Sequence, residues 1–260
     1  MSNDLQPDLD LALQLAELAD SLTLPRFNAQ SFVLEWKDNL TEVTEVDRNV
    51  ETELLHVIRE QRPHHSWYGE EHGTGGTPDA EWTWVIDPID GTSNFVRGVP
   101  VWATLIALVH RDIGPVIGVV SAPALHIRWW GLRDGGAFRN GTPIRVSTIS
   151  ELLDSHASIT ANTAWNMAGK SQNIHRLQNT VRRSRGFGDF WQHMLVAEGS
   201  IDLAVDAIGL EPYDIAALVP IVEAAGGILS DRDGTRTWRG SCAVSSNGLL
   251  HDDIITILNA

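Results

Sequence analysis

The residues best suited to chemistry lie in one short stretch, W-V-I-D-P-I-D-G-T-S-N-F, at positions 84–95. Asp87 and Asp90 are three residues apart in it, so their carboxylates repel each other unless a cation lies between them. Hard metal cations take oxygen ligands, which two neighbouring carboxylates supply. The stretch therefore predicts a metal site. The simpler alternative is a polar turn, because Asp-Pro and Asp-Gly are common turn dipeptides.

The residues that follow Asp90 suit the binding of an anion. Gly91 lets the backbone approach a ligand closely, because it has no side chain. If a helix begins near Thr92, its first N–H groups have no partners within the helix and form an anion site. One turn would then offer metal ligands and a phosphate site together.

Composition narrows the possible functions of the chain. Its 260 residues carry 19 Lys and Arg against 34 Asp and Glu, a formal net charge of −15, which argues against nucleic acid or an anionic membrane as a partner. Cys242 is the only cysteine, so no intrachain disulfide forms and we expect a reducing, cytoplasmic location. We expect neither a secretory signal nor a membrane-spanning segment. The histidines show no zinc-binding pattern, and Cys242 has the neighbours of a buried thiol.

Regular elements must position the residues of the turn. Apolar periodicity predicts a first helix over residues 9–19, which Pro25 stops. A second helix is predicted to begin near Thr44 or Asp47, where either side chain would cap it. Glycines and acidic residues predict a mobile, exposed loop over residues 73–81.

The middle of the chain predicts β-structure, and its last third predicts a mixture of strands and helices. Residues 103–110 and 116–121 are apolar runs separated by a hairpin signal, and Asn140-Gly141 predicts a tight turn. Further helices are predicted over residues 191–197, 215–225 and 251–258. A subdomain boundary is predicted near residues 142–155.

Three motifs in order resemble the inositol monophosphatase family. They are G-E-E at 69–71, D-P-I-D-G-T-S-N-F at 87–95 and Y-D-I-A-A-L-V-P-I-V-E-A-A-G-G at 213–227. The resemblance extends from V-T-E-V-D at 43–47 to S-S-N-G at 245–248. It implies an α/β (α+β layered) fold with alternating layers of helices and sheets, shared with fructose-1,6-bisphosphatase. It also implies a single phosphatase domain over 1–260, with subdomains of about 1–145 and 146–260.

The resemblance assigns roles in the metal and phosphate site by matching positions. The implied ligands of two or three Mg²⁺ ions are the carboxylates of Glu70, Asp87, Asp90 and Asp214 and the carbonyl of Ile89. The implied phosphate-binding residues are Asp90, Gly91, Thr92 and Ser93. Thr92 would orient the attacking water, helped by Asp47 or Glu71. Ser93 replaces a threonine of many members and keeps the hydroxyl.

The segment R-G-F-G-D-F-W at 185–191 is similar to a branch of this family that hydrolyses L-histidinol phosphate. The implied substrate-side residues are Arg185, Gly188, Asp189 and Glu211. Glu70 and Asp214 are implied to contact the substrate as well as the metals. Simpler roles are a surface ion pair for Arg185 and a helix cap for Asp189. Inositol-specific members carry an acid seven residues before the last metal ligand, where this chain has Ala207.

The expected function is thus Mg²⁺-dependent hydrolysis of a small phosphate monoester, most specifically L-histidinol phosphate, by a water molecule that the metals activate. One alternative is an inositol-1-monophosphatase or a broad small-molecule monophosphatase. Another is a non-enzymatic, metal-dependent binding or regulatory protein on the same fold. The resemblance also implies a homodimer.

Overall fold

Two helices with a small hairpin between them begin the chain, whose computed structural model describes residues 5–37 and 42–260. Helix α1 spans Gln6–Ala29, strands β1 and β2 span Leu34–Trp36 and Glu42–Thr44 and pair antiparallel, and helix α2 spans Glu45–Gln61. The predicted start of α2 is confirmed, because Thr44 caps the helix and accepts a hydrogen bond from the N–H of Val46 at 3.1 Å.

The predicted end of α1 at Pro25 is wrong, because the helix continues to Ala29. Proline removes only one backbone hydrogen bond of the helix. The last turn also brings Phe27 against Phe95 and Trp102, with ring centroids 5.6 and 5.3 Å apart. Burial of these rings outweighs the local effect of the proline.

An eight-stranded sheet follows. Its strands are β3 (Ser66–Gly69), β4 (Gly73–Gly76), β5 (Trp82–Asp90), β6 (Ala103–His110), β7 (Gly114–Ala122), β8 (Ile127–Leu132), β9 (Gly136–Arg139) and β10 (Thr142–Pro143), with helix α3 (Thr92–Val96) between β5 and β6. The strand order is β10-β9-β8-β7-β6-β5-β3-β4. The predicted hairpin and the Asn140-Gly141 turn are confirmed. The predicted loop over 73–81 is wrong in its first part, because β4 pairs with β3 there.

One parallel pair in this sheet positions the site. β3 and β5 run parallel with Gly69 opposite Ile86, whereas the other neighbouring strands of the sheet are antiparallel. The carboxyl ends of both strands therefore meet at one edge, where Glu70 follows β3 and Asp87 lies near the end of β5. The pairing of β5 with β6 shifts register between Asp87 and Asp90, at Pro88, which has no N–H to donate.

The second half builds a five-stranded sheet with its own helices. The strands are β11 (His156–Ile159), β12 (Arg183–Arg185), β13 (Leu203–Val205), β14 (Ile228–Ser230) and β15 (Val244–Ser246), in the order β12-β11-β13-β15-β14. The helices are α4 (Thr163–Met167), α5 (Ser171–Thr180), α6 (Asp189–Ala197), α7 (Pro212–Ile215), α8 (Leu218–Ala224) and α9 (His251–Asn259). The predicted helices at 191–197 and 251–258 are confirmed. The one predicted at 215–225 is shorter, because α8 covers only Leu218–Ala224 and the separate α7 ends at Ile215.

The apolar side chains place these elements in alternating layers. Trp84 and Ile86 of β5 face α1 and α2, and Val85 between them faces α6 and α8. The five-stranded sheet packs against α6 and α8 on one side and buries its other face against α5 and α9. The predicted fold class is thus confirmed. The eight-stranded sheet ends at Pro143 and the five-stranded sheet begins at His156, while the division into two subdomains stays a prediction.

Among residues 5–37 and 42–260, no helix is both long enough and apolar enough to cross a membrane.

Candidate active site

Three carboxylates meet where β5 ends. One oxygen each of Asp87, Asp90 and Asp214 lies within 4.8 Å of the others. Asp87 and Asp90 come from the irregular end of β5, and Asp214 comes from α7. Three of the residues predicted as metal ligands are therefore brought together by the fold. Their donor atoms are all oxygens, which suits a hard divalent cation.

Backbone hydrogen bonds fix two of these side chains in place. Asp87 Oδ1 accepts from the N–H of Ile89 at 3.0 Å. Asp214 Oδ2 accepts from the N–H of Glu211 at 2.7 Å, which forms part of the cap of α7. Glu211 itself is exposed and caps α7. The carboxylates are thus preorganised by their own turns.

Burial and mutual repulsion perturb the whole cluster. Burial raises the pKa of Asp87 well above its usual range, and the charges of Glu70, Asp90 and Asp214 raise it further. Burial also raises the pKa of Asp90 well above its usual range, together with the charges of Asp189 and Asp214. Burial raises the pKa of Asp214 to about 7, although the Glu211 N–H opposes the shift. Keeping these carboxylates charged is costly without a cation, so the donor set fits a bound metal.

Glu70 and Glu71 approach the cluster from the end of β3. The Glu70 N–H donates to the carbonyl of Ile86 at 3.2 Å and so continues the parallel pairing. Lys37 Nζ bridges the two acids, at 2.7 Å from Glu70 Oε1 and 2.6 Å from Glu71 Oε1. Burial would lower the pKa of Lys37, but the two carboxylates raise it above its ordinary value. A permanent ammonium group therefore balances part of the negative charge, and sequence analysis missed it.

Asp47, Thr92 and Ile89 form a second set of contacts beside the cluster. The Thr92 hydroxyl lies 2.9 Å from the carbonyl of Ile89 and 3.3 Å from Asp47 Oδ1. Asp47 is fully buried, and its Oδ2 accepts from the N–H and hydroxyl of Thr44 at 2.9 and 2.5 Å. Burial raises the pKa of Asp47 to about 6, against the opposing hydrogen bonds from Thr44. Asp47 thus both caps α2 and contacts Thr92 in the predicted phosphate-binding segment, residues 90–93, which we call the phosphate turn.

The phosphate turn has the backbone that the sequence predicted. Gly91 precedes α3 with φ of +82°, in the left-handed region that glycine adopts most readily. A Cβ at this position would lie 3.1 Å from the carbonyl oxygen of Val101. Helix α3 begins at Thr92. Ser93 is exposed, and its hydroxyl accepts from Arg97 at 2.7 Å.

The start of α6 lies directly against this turn. The N–H of Phe190 donates to Asp90 Oδ2 at 2.8 Å, and Asn94 Nδ2 donates to Asp189 Oδ2 at 3.1 Å. Asp189 has φ of +48° and follows Gly188 at +77°, and no side chain of α6 caps its own first turn. The simpler role of Asp189 as a helix cap is therefore wrong, because Asp90 takes that place.

Arg185, another predicted substrate-side residue, does not contact the acidic cluster. Arg185 is exposed at the end of β12, and its Nη1 donates to the carbonyl of Ser184 at 2.9 Å. Across the described residues, no hydrogen bond or ion pair links Arg185 with the acidic cluster. Burial raises the pKa of Asp189 to about 6, with a further rise from Asp206 and an opposing effect of His193.

Sequence analysis also missed a buried pair on this side. Asp206 Oδ2 lies 3.2 Å from His193 Nε2, and His193 Nδ1 lies 2.8 Å from Ser245 Oγ. The charge of Asp206 acts on Asp90, Asp189 and Asp214. The available signal was an acid directly after the apolar strand at 203–205, the pattern that also marks Asp87.

Comparison with known proteins shows which family of proteins this chain resembles over its whole length. The sequence model of the inositol monophosphatase family matches residues 4–260. Histidinol-phosphatase of Mycobacterium tuberculosis is 44% identical, with all of both chains covered, and histidinol-phosphatase of Streptomyces coelicolor is 42% identical, with 98% of each covered. The solved structure of Thermotoga maritima IMPase matches with a TM-score of 0.86 at 31% identity, over 98% of this chain and 97% of that one. Inositol monophosphatase from Anabaena matches with a TM-score of 0.84 at 29% identity, over 99% and 97%.

Similarity over the whole length, in sequence and in fold, defines the class of this protein as a phosphatase of small phosphate monoesters. The chain belongs to the inositol monophosphatase family, and the predicted resemblance is confirmed.

Proposed function

We propose that the protein hydrolyses L-histidinol phosphate to L-histidinol and phosphate. The observation that carries the proposal is the position of Asp189, a partly buried carboxylate hydrogen-bonded through Asn94 to the helix that follows the phosphate turn. The histidinol-phosphatases at 44% and 42% identity support it. Ala207 supports it too, because this chain lacks an acid where inositol-specific members place one.

The proposed cofactor is Mg²⁺, with two or three ions per site. Its proposed ligands are the carboxylates of Glu70, Asp87, Asp90 and Asp214 and the carbonyl of Ile89. The mutual repulsion of the buried cluster and its all-oxygen donor set support this assignment. When bound, Mg²⁺ polarises the phosphate and lowers the pKa of a bound water.

The residues beside the cluster are proposed to orient the attacking water. The Thr92 hydroxyl has a single proton, which the Ile89 carbonyl or Asp47 accepts, so its lone pairs stay available to a water molecule. Asp47, with its pKa near 6, is the candidate proton acceptor, and Glu71, paired with Lys37, is the alternative. The N–H groups of Gly91, Thr92 and Ser93 together with Asp90 are proposed to position the phosphate.

The leaving group is proposed to lie toward α6. Histidinol carries an ammonium group and an imidazole that can be protonated, whereas inositol carries only hydroxyls. A charge-assisted hydrogen bond to Asp189 contributes about 1.5–3 kcal/mol to recognition of such a cation. Gly188, Glu211 and Arg185 are proposed to border the same leaving group, with Gly188 in a left-handed backbone of φ +77° directly before Asp189.

A substrate panel tests the proposal. Phosphate release is measured for L-histidinol phosphate and myo-inositol 1-phosphate at fixed Mg²⁺, with EDTA as control. We expect a much higher kcat/KM for histidinol phosphate and no turnover in EDTA. A preference for inositol phosphate would leave a general monophosphatase. No turnover of any phosphate monoester would instead favour the non-enzymatic alternative, a binding or regulatory protein.

A single substitution then tests the recognising residue. Asp189→Asn keeps the shape and the left-handed backbone that asparagine tolerates well. We expect kcat/KM for histidinol phosphate to fall about tenfold or more and that for inositol phosphate to change little. Asp253→Asn, which changes an exposed acid of α9, is the matched control. An equal loss with both substrates would contradict the assigned role of Asp189.

A homodimer and a cytoplasmic location are also proposed. The dimer follows from the family resemblance, and light scattering that gives twice the chain mass of 28.6 kDa would support it. The single cysteine, which is buried, supports a reducing compartment.

A further inference from the structure

A fully buried carboxylate outside the acidic cluster holds the segment that carries Glu70 and Glu71. Glu51 lies on the inner face of α2 and has no exposed surface. Its Oε2 accepts from the N–H of Glu71 at 2.8 Å, and its Oε1 accepts from the N–H of His72 at 2.9 Å. His72 Nδ1 lies 3.2 Å from the same Oε1. One side chain thus binds two consecutive backbone amides directly after Glu70.

The segment is shaped to admit this carboxylate. A Cβ at Gly69 would lie 2.0 Å from Glu51 Oε1, which is far inside any van der Waals contact. Glycine is therefore required at 69 for a steric reason rather than for its φ. Gly69 is the last residue of β3 and precedes Glu70 directly. Glu51 and Gly69 together fix where the chain leaves the strand.

The side chains of the two acids depend on this anchor. The charge of Glu70 raises the pKa of Asp87, and Glu71 Oε1 lies 2.6 Å from Lys37 Nζ. Backbone on both sides of Glu70 is held, by the Ile86 carbonyl at its own N–H and by Glu51 at the next. Without the second contact, Glu70 would have to be ordered when the cation binds, and that ordering costs free energy.

We propose that Glu51 is a positioning residue that preorganises Glu70 and Glu71 for binding Mg²⁺. The inference rests on the proposed role of Glu70 as a metal ligand. A buried carboxylate that served only the packing of α2 could be exchanged without any effect on metal affinity. Exchange of a positioning residue must weaken metal binding, because the binding free energy includes the cost of ordering residues 69–72.

Glu51→Gln is the informative variant. Glutamine has the same shape, but its amide NH₂ must face one of the two backbone N–H donors, so one hydrogen bond is lost. The matched control is Glu53→Gln, which makes the same chemical change two residues along α2 on an exposed side chain. Gly69→Ala keeps the glutamate but pushes its carboxylate away from the segment, because the added Cβ would lie 2.0 Å from Glu51 Oε1. It serves as the second variant if the buried glutamine prevents folding.

Mg²⁺ binding to each metal-free protein is measured by titration calorimetry, and phosphate release is measured as a function of Mg²⁺. For Glu51→Gln and Gly69→Ala we expect the Kd for Mg²⁺ to rise about tenfold, or about 1.4 kcal/mol. The Mg²⁺ concentration that half-saturates activity should rise in parallel, while kcat at saturating Mg²⁺ stays within about twofold of wild type. Glu53→Gln should match wild type throughout. Melting curves in EDTA verify that each variant is folded.

Two outcomes overturn the inference, and a third variant separates its failure from that of the proposed function. Folded Glu51→Gln or Gly69→Ala protein with wild-type Mg²⁺ affinity contradicts positioning. A fall in kcat at saturating Mg²⁺ with unchanged affinity contradicts it too. Glu70→Gln is titrated alongside. If it binds Mg²⁺ like wild type, the role of Glu70 itself fails, whereas weak binding by Glu70→Gln alone refutes only the inference about Glu51.

Discussion

Removing one carboxylate of the acidic cluster should stabilise the metal-free protein. Burial and neighbouring charges raise the pKa of Asp214 from its ordinary value of 3.8 to about 7. Such a shift destabilises the folded state by roughly 4 kcal/mol at pH 8, since one pKa unit equals about 1.36 kcal/mol. Asp214→Asn removes this penalty and keeps an oxygen that can accept the N–H of Glu211. We expect the free energy of unfolding to rise by about 2–4 kcal/mol, a range that reflects the coupling between Asp214 and the neighbouring carboxylates.

The stability gained by Asp214→Asn should depend on pH in the direction that a raised pKa of Asp214 requires. Below pH 3.8 the carboxyl of Asp214 is protonated in both states, so it costs nothing. As pH rises from 3.8 to about 7, Asp214 is ionised in the unfolded chain but still largely protonated in the folded state. Metal-free wild type therefore loses stability over this range. The gain from Asp214→Asn should therefore be about 2 kcal/mol larger at pH 8 than at pH 5.5.

Urea unfolding in EDTA, followed by tryptophan fluorescence, measures the effect. Glu53→Gln, which removes an exposed charge, controls for the net charge of −15. Mg²⁺ at 100 times its Kd adds about 2.7 kcal/mol to wild type, so the advantage of the variant should largely disappear there. An equal gain at both pH values, or none at pH 8, would refute the argument from burial and repulsion.

Two further predictions follow from the contacts of single side chains. Thr92→Ala should lower kcat about 10²-fold, since it removes the hydroxyl that is proposed to orient the water, whereas Thr92→Ser should keep part of the rate. Equal behaviour of the two variants would make Thr92 only a structural residue of the turn. Burial, assisted by Asp206, raises the pKa of Cys242 to about 12, so a thiol reagent at pH 8 should label it only in urea, and stoichiometric labelling of the native protein would contradict that burial.

Local signals predicted the parts of the site that lie within one turn of the chain. The site role of Asp47 came only from the family resemblance, because its own neighbours predicted a helix cap. Asp87, Asp90 and Gly91 lie at the end of a single strand. Spacing and residue type were enough there, because the chemistry and the geometry belong to the same few residues.

Contacts between distant segments were beyond sequence reasoning. Lys37 bridges Glu70 and Glu71 from more than thirty residues away, and nothing in its own neighbours marks it. Glu51 reads as one polar position of an amphipathic helix until β3 is placed beside it. The continuation of α1 past Pro25 depends in the same way on rings contributed much later in the chain.

The hydrogen bond from the Phe190 N–H to Asp90 has an evolutionary consequence. It joins residues one hundred positions apart through a main-chain donor, so this contact does not use the side chain at position 189. The backbone of Asp189 is left-handed, with φ of +48°, and the residue types that adopt this conformation most readily include aspartate, asparagine and glycine. A charged acceptor, a neutral amide and no side chain at all are thus each one or two nucleotide changes apart. Since Asp189 is proposed to face the leaving group, a substitution there would change its recognition and leave every proposed metal ligand in place.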